Sequence, residues 1–503
     1  MPRPSRFRLQ RRLILLAAAA VWAATSYWQA SKSLPEGSRT ASPSLAVPAA
    51  DVGFIADITA ADAYSRPIVS QGIFDEVLRV VRSAQHFIIL DYFLFNDRRP
   101  DPPGPTAALR SISGELRDAL IEQRHLHPEL QVLFITDPIN EVYGSVASRD
   151  LLLLRAAGVD VVVTDVDRLR DSNSLYSGLW RLGLKWWSSP GRGPGWLPNP
   201  RDEDDSPVTF GAWARVVNFK ANQRKVVIAD DGHDGLVGVV GSADPHDAGS
   251  AHSNVALKVG GSVLTSLAQS ELAIARFSGW QGHIEIPSHA AGAVAADADI
   301  VAGRTALVQV LTEGAILDSI LEHIEAAAKG DNIDIAMFYV AHRAIVESLL
   351  EAGRRGVSVR LILDPNKDGF GHDKSGIPNR PVASELVSAS NGGIHVRWYR
   401  THGEQFHTKL VMVYGPQRMW LTAGSADLTR RSLGDYDLEA NLAIEVGRTA
   451  LISTQALEYF DSLWNNRAEL GIEYTGDFGV YADPEQTHYW LYRFMEGTGL
   501  SAF

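Results

Sequence analysis

The sequence predicts an α/β fold of two tandem α/β/α domains with mixed, mainly parallel sheets, related by pseudo-twofold symmetry. Three observations predict it. The chain has 503 residues, too many for one ordinary core, so two domains are expected. Amphipathic helical stretches alternate with short, almost wholly apolar strands, the pattern of sheets covered on both faces. The same order of elements occurs twice.

The first element is N-terminal. Arg3, Arg6, Arg8, Arg11 and Arg12 precede an uncharged stretch from Leu13 to Trp28. A basic flank before an apolar run reads as an uncleaved signal-anchor or as a signal peptide cut after Ala23. The flank predicts a cytoplasmic N-terminus, a bacterial-type inner membrane and an exported remainder; secretion after cleavage is the alternative. The expected organisation is residues 1–30 as this segment, 31–60 as a linker rich in Ser, Pro, Ala and Gly, 61–290 as the first domain, 300–480 as the second, and 481–503 as a C-terminal tail.

In the first domain a helix over Ile73–Val81 is followed by a strand from Phe87 to Leu94, a helix over 107–123, and a strand from Gln131 that ends Asp137-Pro138. In the second, a helix over Ile316–Ala328 precedes a strand over Ile333–Tyr339, a helix over Ala344–Gly353, and a strand from Val357 that ends Asp364-Pro365. Each half continues with a Lys-bearing strand and a Gly-Ser-Ala-Asp turn. The first half has Gln223-Arg224-Lys225 through Asp230, then Gly241-Ser242-Ala243-Asp244; the second has His407-Thr408-Lys409 through Val413, then Gly424-Ser425-Ala426-Asp427. Strands bearing Asn254 and Asn441 follow.

Alternate residues of a strand share a face, so His407 projects with Lys409 and Gln223 with Lys225. A lysine is a compact cation for phosphate oxygens, and small Gly-Ser turns admit an anion to backbone N–H groups. Two halves face to face would surround one phosphodiester with Lys225, Lys409, Ser242 and Ser425.

The doubled His-x-Lys and Gly-Ser motifs, over roughly Ile73 to Tyr474, resemble those of the phospholipase D superfamily, and Asp91–Asp97 is similar to bacterial members near cardiolipin synthases. The resemblance implies that one histidine attacks phosphorus, another protonates the leaving alcohol, and water or a second alcohol releases the phosphatidyl group, with no metal or other cofactor required. It implies a monomer in which both halves form one site. The expected catalytic set is His407, Lys409, Lys225, Gln223, Asp230 and Glu439. The expected phosphate-binding set is Ser242, Ser425, Asp244, Asp427, Asn254 and Asn441. Four positions depart from the pattern: Gln223 stands for a histidine, Tyr414 for an aspartate, and Asp244 and Asp427 for the two turn asparagines. A carboxamide neither attacks phosphorus nor carries a proton near neutral pH. His252 is the candidate to fill in, ahead of His233 and His246, and matches Glu439 when the two asparagines are aligned.

Composition narrows the alternatives. The chain is 45% hydrophobic and 21% charged, which suits a globular protein. Its net charge of −12 argues against a general nucleic-acid partner. The absence of cysteine excludes disulfides, thiolate zinc sites and a cysteine nucleophile. Asp364–Ser375 opens like a calcium loop but lacks its closing glutamate, so no EF-hand is expected. Trp180, Trp186, Trp187 and Trp196, upstream of the acidic run 201–205, read either as core or as an aromatic surface at a membrane interface. Arg430-Arg431 reads as a phosphate clamp or a solvated pair. Three functions remain: a membrane-associated phosphodiesterase or phosphatidyltransferase on phospholipid, a catalytically impaired protein that binds anionic lipid, and a nuclease.

Overall fold

The computed structural model describes residues 6–62, 64, 66–99, 109–187, 195–199, 206–233, 235–287, 296–369, 372–373, 375–467, 471–501 and 503. The acidic run 201–205 and the start of the helix expected from residue 107 lie outside them, as do residues 370, 371 and 374. The strands of the first half, with the segment before it, are β1 (Leu45–Pro48), β2 (Val52–Ala61), β3 (Pro67–Ser70), β4 (Phe87–Tyr92), β5 (Gln131–Thr136), β6 (Asp160–Val163), β7 (Lys225–Asp230), β8 (Leu236–Gly241) and β9 (Asn254–Gly260). Those of the second are β10 (Thr305–Thr312), β11 (Asn332–Met337), β12 (Ser358–Leu363), the short β13 (Asp368–Gly369) and β14 (His372–Asp373), β15 (Ile394–Tyr399), β16 (Lys409–Tyr414), β17 (Arg418–Gly424), β18 (Ala440–Gly447) and β19 (Thr475–Asp477).

The first large sheet runs β3-β2-β9-β8-β7-β4-β5-β6 and the second β1-β10-β18-β17-β16-β11-β12-β15-β19. From β2 to β6 and from β10 to β15 the order is the same, so the repeat in sequence is a repeat of topology. Both sheets are mixed, as expected, but their parallel share is smaller than the expected majority. Only β4-β5-β6 and β11-β12-β15 run parallel. The motif strands return antiparallel to one another, as β7-β8-β9 and β16-β17-β18.

Strand alternation divides the apolar residues between two layers. Ile88, Leu90, Val227 and Ala229 pack outward against helices Ile73–Ser83, Ile112–Leu126 and Arg149–Ala156. Val411 and Ile335 pack outward against helices Gly314–Ala326, Arg343–Arg355 and Asn379–Ala389. The opposite faces, with Ile89, Val226, Ile228, Leu410 and Met412, meet in one continuous core that includes helices Leu264–Phe277 and Leu451–Asn465.

Two of the expected boundaries shift. Much of the expected linker is sheet: β1 edges the second sheet beside β10, and β2 belongs to the first beside β9. In β2 the alternation of burial breaks after Phe54, and β1 is only four residues long. The expected tail contains a helix, Gln486–Thr498, whose Tyr492 is fully buried in the second half.

Candidate functional site

The site forms beyond the carboxyl ends of β4, β5, β11 and β12, where a mixed α/β sheet opens a crevice. Asp137 and Asp364, each in an Asp-Pro turn, fix the approach to it. Asp137 Oδ2 accepts the Asn222 N–H at 2.8 Å, and Asp364 Oδ2 accepts the Phe406 N–H at 2.8 Å. Each aspartate thus anchors the residue immediately before Gln223 or His407. The same segments then cross the seam between halves. Gln223 N–H donates to Leu438 O at 2.8 Å, and Ser253 N–H donates to Gln405 O at 3.0 Å. Each motif therefore pairs with the returning strand of the other half. Between Gln223 and Lys225, Arg224 points away from the cavity, fully buried, to Glu271 of its own half (3.0 Å) and Glu313 of the other (2.7 Å).

A cavity of about 340 Å³ lies across this seam, within the size range of small-molecule sites. Gln223, His407, Asp244, Asp427, Asn254 and Glu439 contribute polar lining; Phe93, Ile139, Val216, Phe219, Phe338 and Phe503 contribute apolar lining.

His407 has a defined tautomer. Its Nδ1 lies 3.0 Å from Ser242 O and 3.2 Å from Asn254 Oδ1. The Asn254 amide is oriented by Ser242 Oγ–H donating to Oδ1 at 2.9 Å and by Nδ2 donating to His252 O at 3.2 Å. Both groups facing Nδ1 are acceptors, so Nδ1 carries the hydrogen and Nε2 the lone pair. Lys409 Nζ stands 3.2 Å from that Nε2. Burial, reinforced by Lys409 and Lys225, holds the His407 pKa well below its ordinary value, so the ring is neutral.

The two lysines have matching surroundings. Lys225 Nζ is 3.4 Å from Asp244 and 5.5 Å from the Phe93 ring centre; Lys409 Nζ is 3.5 Å from Asp427 and 5.2 Å from that of Phe338. Asp244 also accepts the Leu94 N–H and Asp427 the Tyr339 N–H, each at 3.1 Å. The turn aspartates that replace asparagine are therefore paired with the lysines, and burial raises the pKa of both.

The Gly-Ser turns act differently from expectation. A Cβ at Gly424 would meet Ala440 O at 2.2 Å, and one at Gly241 would meet Ala256 Cβ at 2.6 Å. Glycine is needed there for strand approach. The serine hydroxyls are committed to the ladder: Ser242 Oγ accepts Val255 N–H and Ser425 Oγ accepts Ala440 N–H, both at 3.0 Å, while Ser425 donates to Glu439.

Register also changes one correspondence. Gly241 pairs with Ala256 where Gly424 pairs with Asn441. The counterpart of Glu439 is thus Asn254, not His252, and Asn441 corresponds to Ala256. Asn441 is engaged with Thr422 and the Ala426 N–H and does not line the cavity. Asp230 lies at the far end of β7, accepting the Gln85, His86 and Phe87 N–H groups; Tyr414 lies at the far end of β16, donating to Asp334 at 2.8 Å. Neither lines the cavity. His246 and His252 do. The rings of His252 and His407 are 6.1 Å apart, and burial takes His252 down to about 4. His233 does not line it. Arg431 lines the cavity and donates to Ser501 O, whereas Arg430 turns to Tyr436.

Glu439 is buried beside the cavity, and burial, opposed by Lys225, pushes its carboxyl up to about 8. Sequence reasoning missed Phe93, Phe219, Phe338 and Phe503, which carried no motif. The Asp-Pro pair was a signal, but of repetition rather than of this anchoring. Among the described residues no group of three or more His, Asp or Glu is placed to hold a metal ion.

Residues 320–464 match the family model described as cardiolipin synthase, PLD-like domain. No curated protein matches. Among solved structures, the chain is similar to phosphatidylserine synthase of Haemophilus influenzae Rd KW20, at 13% identity and a TM-score of 0.50 over 91% of this chain and 96% of that one. Nuc from Salmonella typhimurium aligns at 20% identity and a TM-score of 0.25, over 32% of this chain and 95% of that one.

Proposed function

We propose that the chain, whose residues 320–464 match a cardiolipin synthase, PLD-like domain, is a phospholipase D-type phosphodiesterase or phosphatidyltransferase acting on membrane phospholipid through a phosphohistidine at His407. One observation carries the reading: His407 Nδ1 is held by acceptors of the other half, which leaves the Nε2 lone pair beside Lys409 at a cavity lined by both polar and aromatic residues.

The chemistry follows from these positions. A phosphodiester draws the ammonium groups of Lys225 and Lys409 from their aspartates onto its non-bridging oxygens. Gln223 donates a carboxamide hydrogen to the same group. Nε2 attacks phosphorus, the N–P bond forms, and the P–O bond to the alcohol breaks. The departing oxygen needs a proton that Gln223 cannot give. Glu439, neutral at physiological pH, supplies it. Water or an alcohol then returns a proton to Glu439 and attacks phosphorus, and the N–P bond breaks. The aromatic lining, with Phe93, Phe338 and Phe503, favours a diester with hydrocarbon attached over a nucleic-acid strand.

The test is capture of the intermediate. Phospholipid labelled at phosphorus should transfer label to the protein in an alkali-stable, acid-labile bond that maps to His407. Equal turnover by wild type and His407→Ala would overturn the proposal. Gln223 supports a second reading, a lipid-binding protein without turnover. In that case wild type releases no product, Gln223→His gains turnover, and vesicle binding depends on Lys225 and Lys409.

A further inference from the structure

We propose that the helical stretch Ser174–Trp187, with the adjoining segment around Phe210, is a surface that rests in the headgroup–acyl boundary of a phospholipid bilayer. Leu175, Leu179, Leu182 and Trp186 are 41%, 55%, 44% and 75% exposed and form one stripe at helical spacing. Trp196 and Phe210 are also exposed, at 77% and 44%. The opposite face is committed to the protein: Trp180 is 1% exposed, Tyr176 OH donates to Ala214 O at 2.8 Å, and Ser177 Oγ donates to Asn218 at 2.7 Å. A monomeric soluble protein rarely leaves such a patch open.

The choice of bilayer over another partner rests on what is rooted there. Helix Arg6–Ser31 is long and apolar enough to cross a membrane. Its last two turns dock on this same surface. Trp22 Nε1 donates to Leu175 O at 3.0 Å, Ser26 is buried, and a Cβ at Gly178 would come within 2.1 Å of Ser26 Oγ. The residues before Trp22 are exposed, Leu13 to Leu16 at 57–69%. A membrane that takes up this free length therefore ends where the stripe begins. The stripe is also the outer side of the cavity wall: Asn173 Nδ2 donates to Val217 O at 2.9 Å and Ser172 Oγ to Phe219 O at 2.9 Å, next to cavity residues Val216 and Phe219. Lys185 and Arg215 pair with Asp167, and Arg181 with Asp171. The contact is therefore apolar rather than electrostatic.

The absence of cysteine makes the test direct. Single Leu179→Cys and Leu182→Cys variants of the full chain, and Leu126→Cys on the exposed end of an outer helix, are labelled with a fluorophore and reconstituted in phosphatidylcholine–phosphatidylglycerol vesicles. Positions 179 and 182 should be quenched by lipid-borne nitroxide and shielded several-fold from aqueous iodide, with little change at high salt; position 126 should behave oppositely. Equal iodide access at 126 and 182 would overturn the proposal. So would shielding that persists in lipid-free detergent and grows with protein concentration, which identifies a second copy of the chain. This arm needs no turnover, so it fails separately from the catalytic reading. In a second arm, the combined Leu175→Asn, Leu179→Asn and Leu182→Asn variant should lose turnover of vesicle lipid several-fold but retain it on a dispersed short-chain phospholipid. Equal loss on both overturns the proposal.

Discussion

Asn254 belongs to the half whose motif carries Gln223 rather than a histidine, yet it orients the histidine of the other half. Its Oδ1 holds His407 Nδ1–H, so Asn254 is a positioning residue for chemistry at Nε2. Asn254→Asp places a carboxylate on that hydrogen and should raise the His407 pKa. The expected outcome is an acid limb of the pH–rate profile shifted to higher pH; an unmoved limb shows that His407 is not the titrating group. Glu439 gives the complementary limb. With its carboxyl at about 8, turnover should fall above that pH as the proton donor is lost. Glu439→Gln should reduce kcat by about 10²–10⁴-fold and flatten the alkaline limb, measured as headgroup release across pH. Gln223 was legible as a chemical deficit from the sequence alone. The replacement proton source was not, because burial, which sets the Glu439 pKa, is absent from a string of residues.

At the scale of elements, the hairpins β7-β8-β9 and β16-β17-β18 carry the motif and explain one misreading. Ser242 meets Asn254 twelve residues on, whereas Ser425 meets Glu439 fourteen on. Matching asparagine to asparagine slips the repeat by two residues, which keeps the face of the strand but moves about 7 Å along it. Residue identity suggested one register; the ladder of backbone hydrogen bonds imposes the other. The helices and the apolar strands were legible because periodicity survives without tertiary context. β1 was not, because a four-residue edge strand in a Ser- and Pro-rich stretch shows no periodicity, and β2 was not, because its alternation breaks at Ile55-Ala56. The tight turns make a further prediction. Gly424→Val drives a side chain into the Ala440 carbonyl and should destabilise the fold by about 1–3 kcal/mol, read as a lower urea midpoint. An unchanged midpoint would mean that β17 and β18 do not approach as closely as described.

The whole molecule is held by its seam. Arg224 is fully buried between Glu271 and Glu313, and removing one partner of such a cluster typically costs about 3–5 kcal/mol. Arg224→Ala should show that loss in chemical denaturation, whereas Arg66→Ala, at an exposed pair, should not. Buried carboxyls also set a pH dependence. Glu439 is pushed to about 8, and Asp437 and Glu496 to about 7, all by burial. Their neutral forms are the folded ones, so their contribution is complete below the ordinary carboxylate range and is lost as pH rises through the folded values. The buried histidines, with lowered pKa values, oppose this only below about 6.5. Between pH 8 and 6.5 the fold should therefore gain stability on acidification, seen as a rising thermal midpoint; a midpoint falling over that interval would contradict it.

The exchange of partners across the seam bears on how the two repeats can drift. Each repeat supplies the support for the other's reactive position. On the proposed mechanism, two separately expressed repeats, even if each folded, should be inert until they reassociated. The molecule is in effect a heterodimer written on one chain, and its degenerate member is the one that keeps the competent member in order.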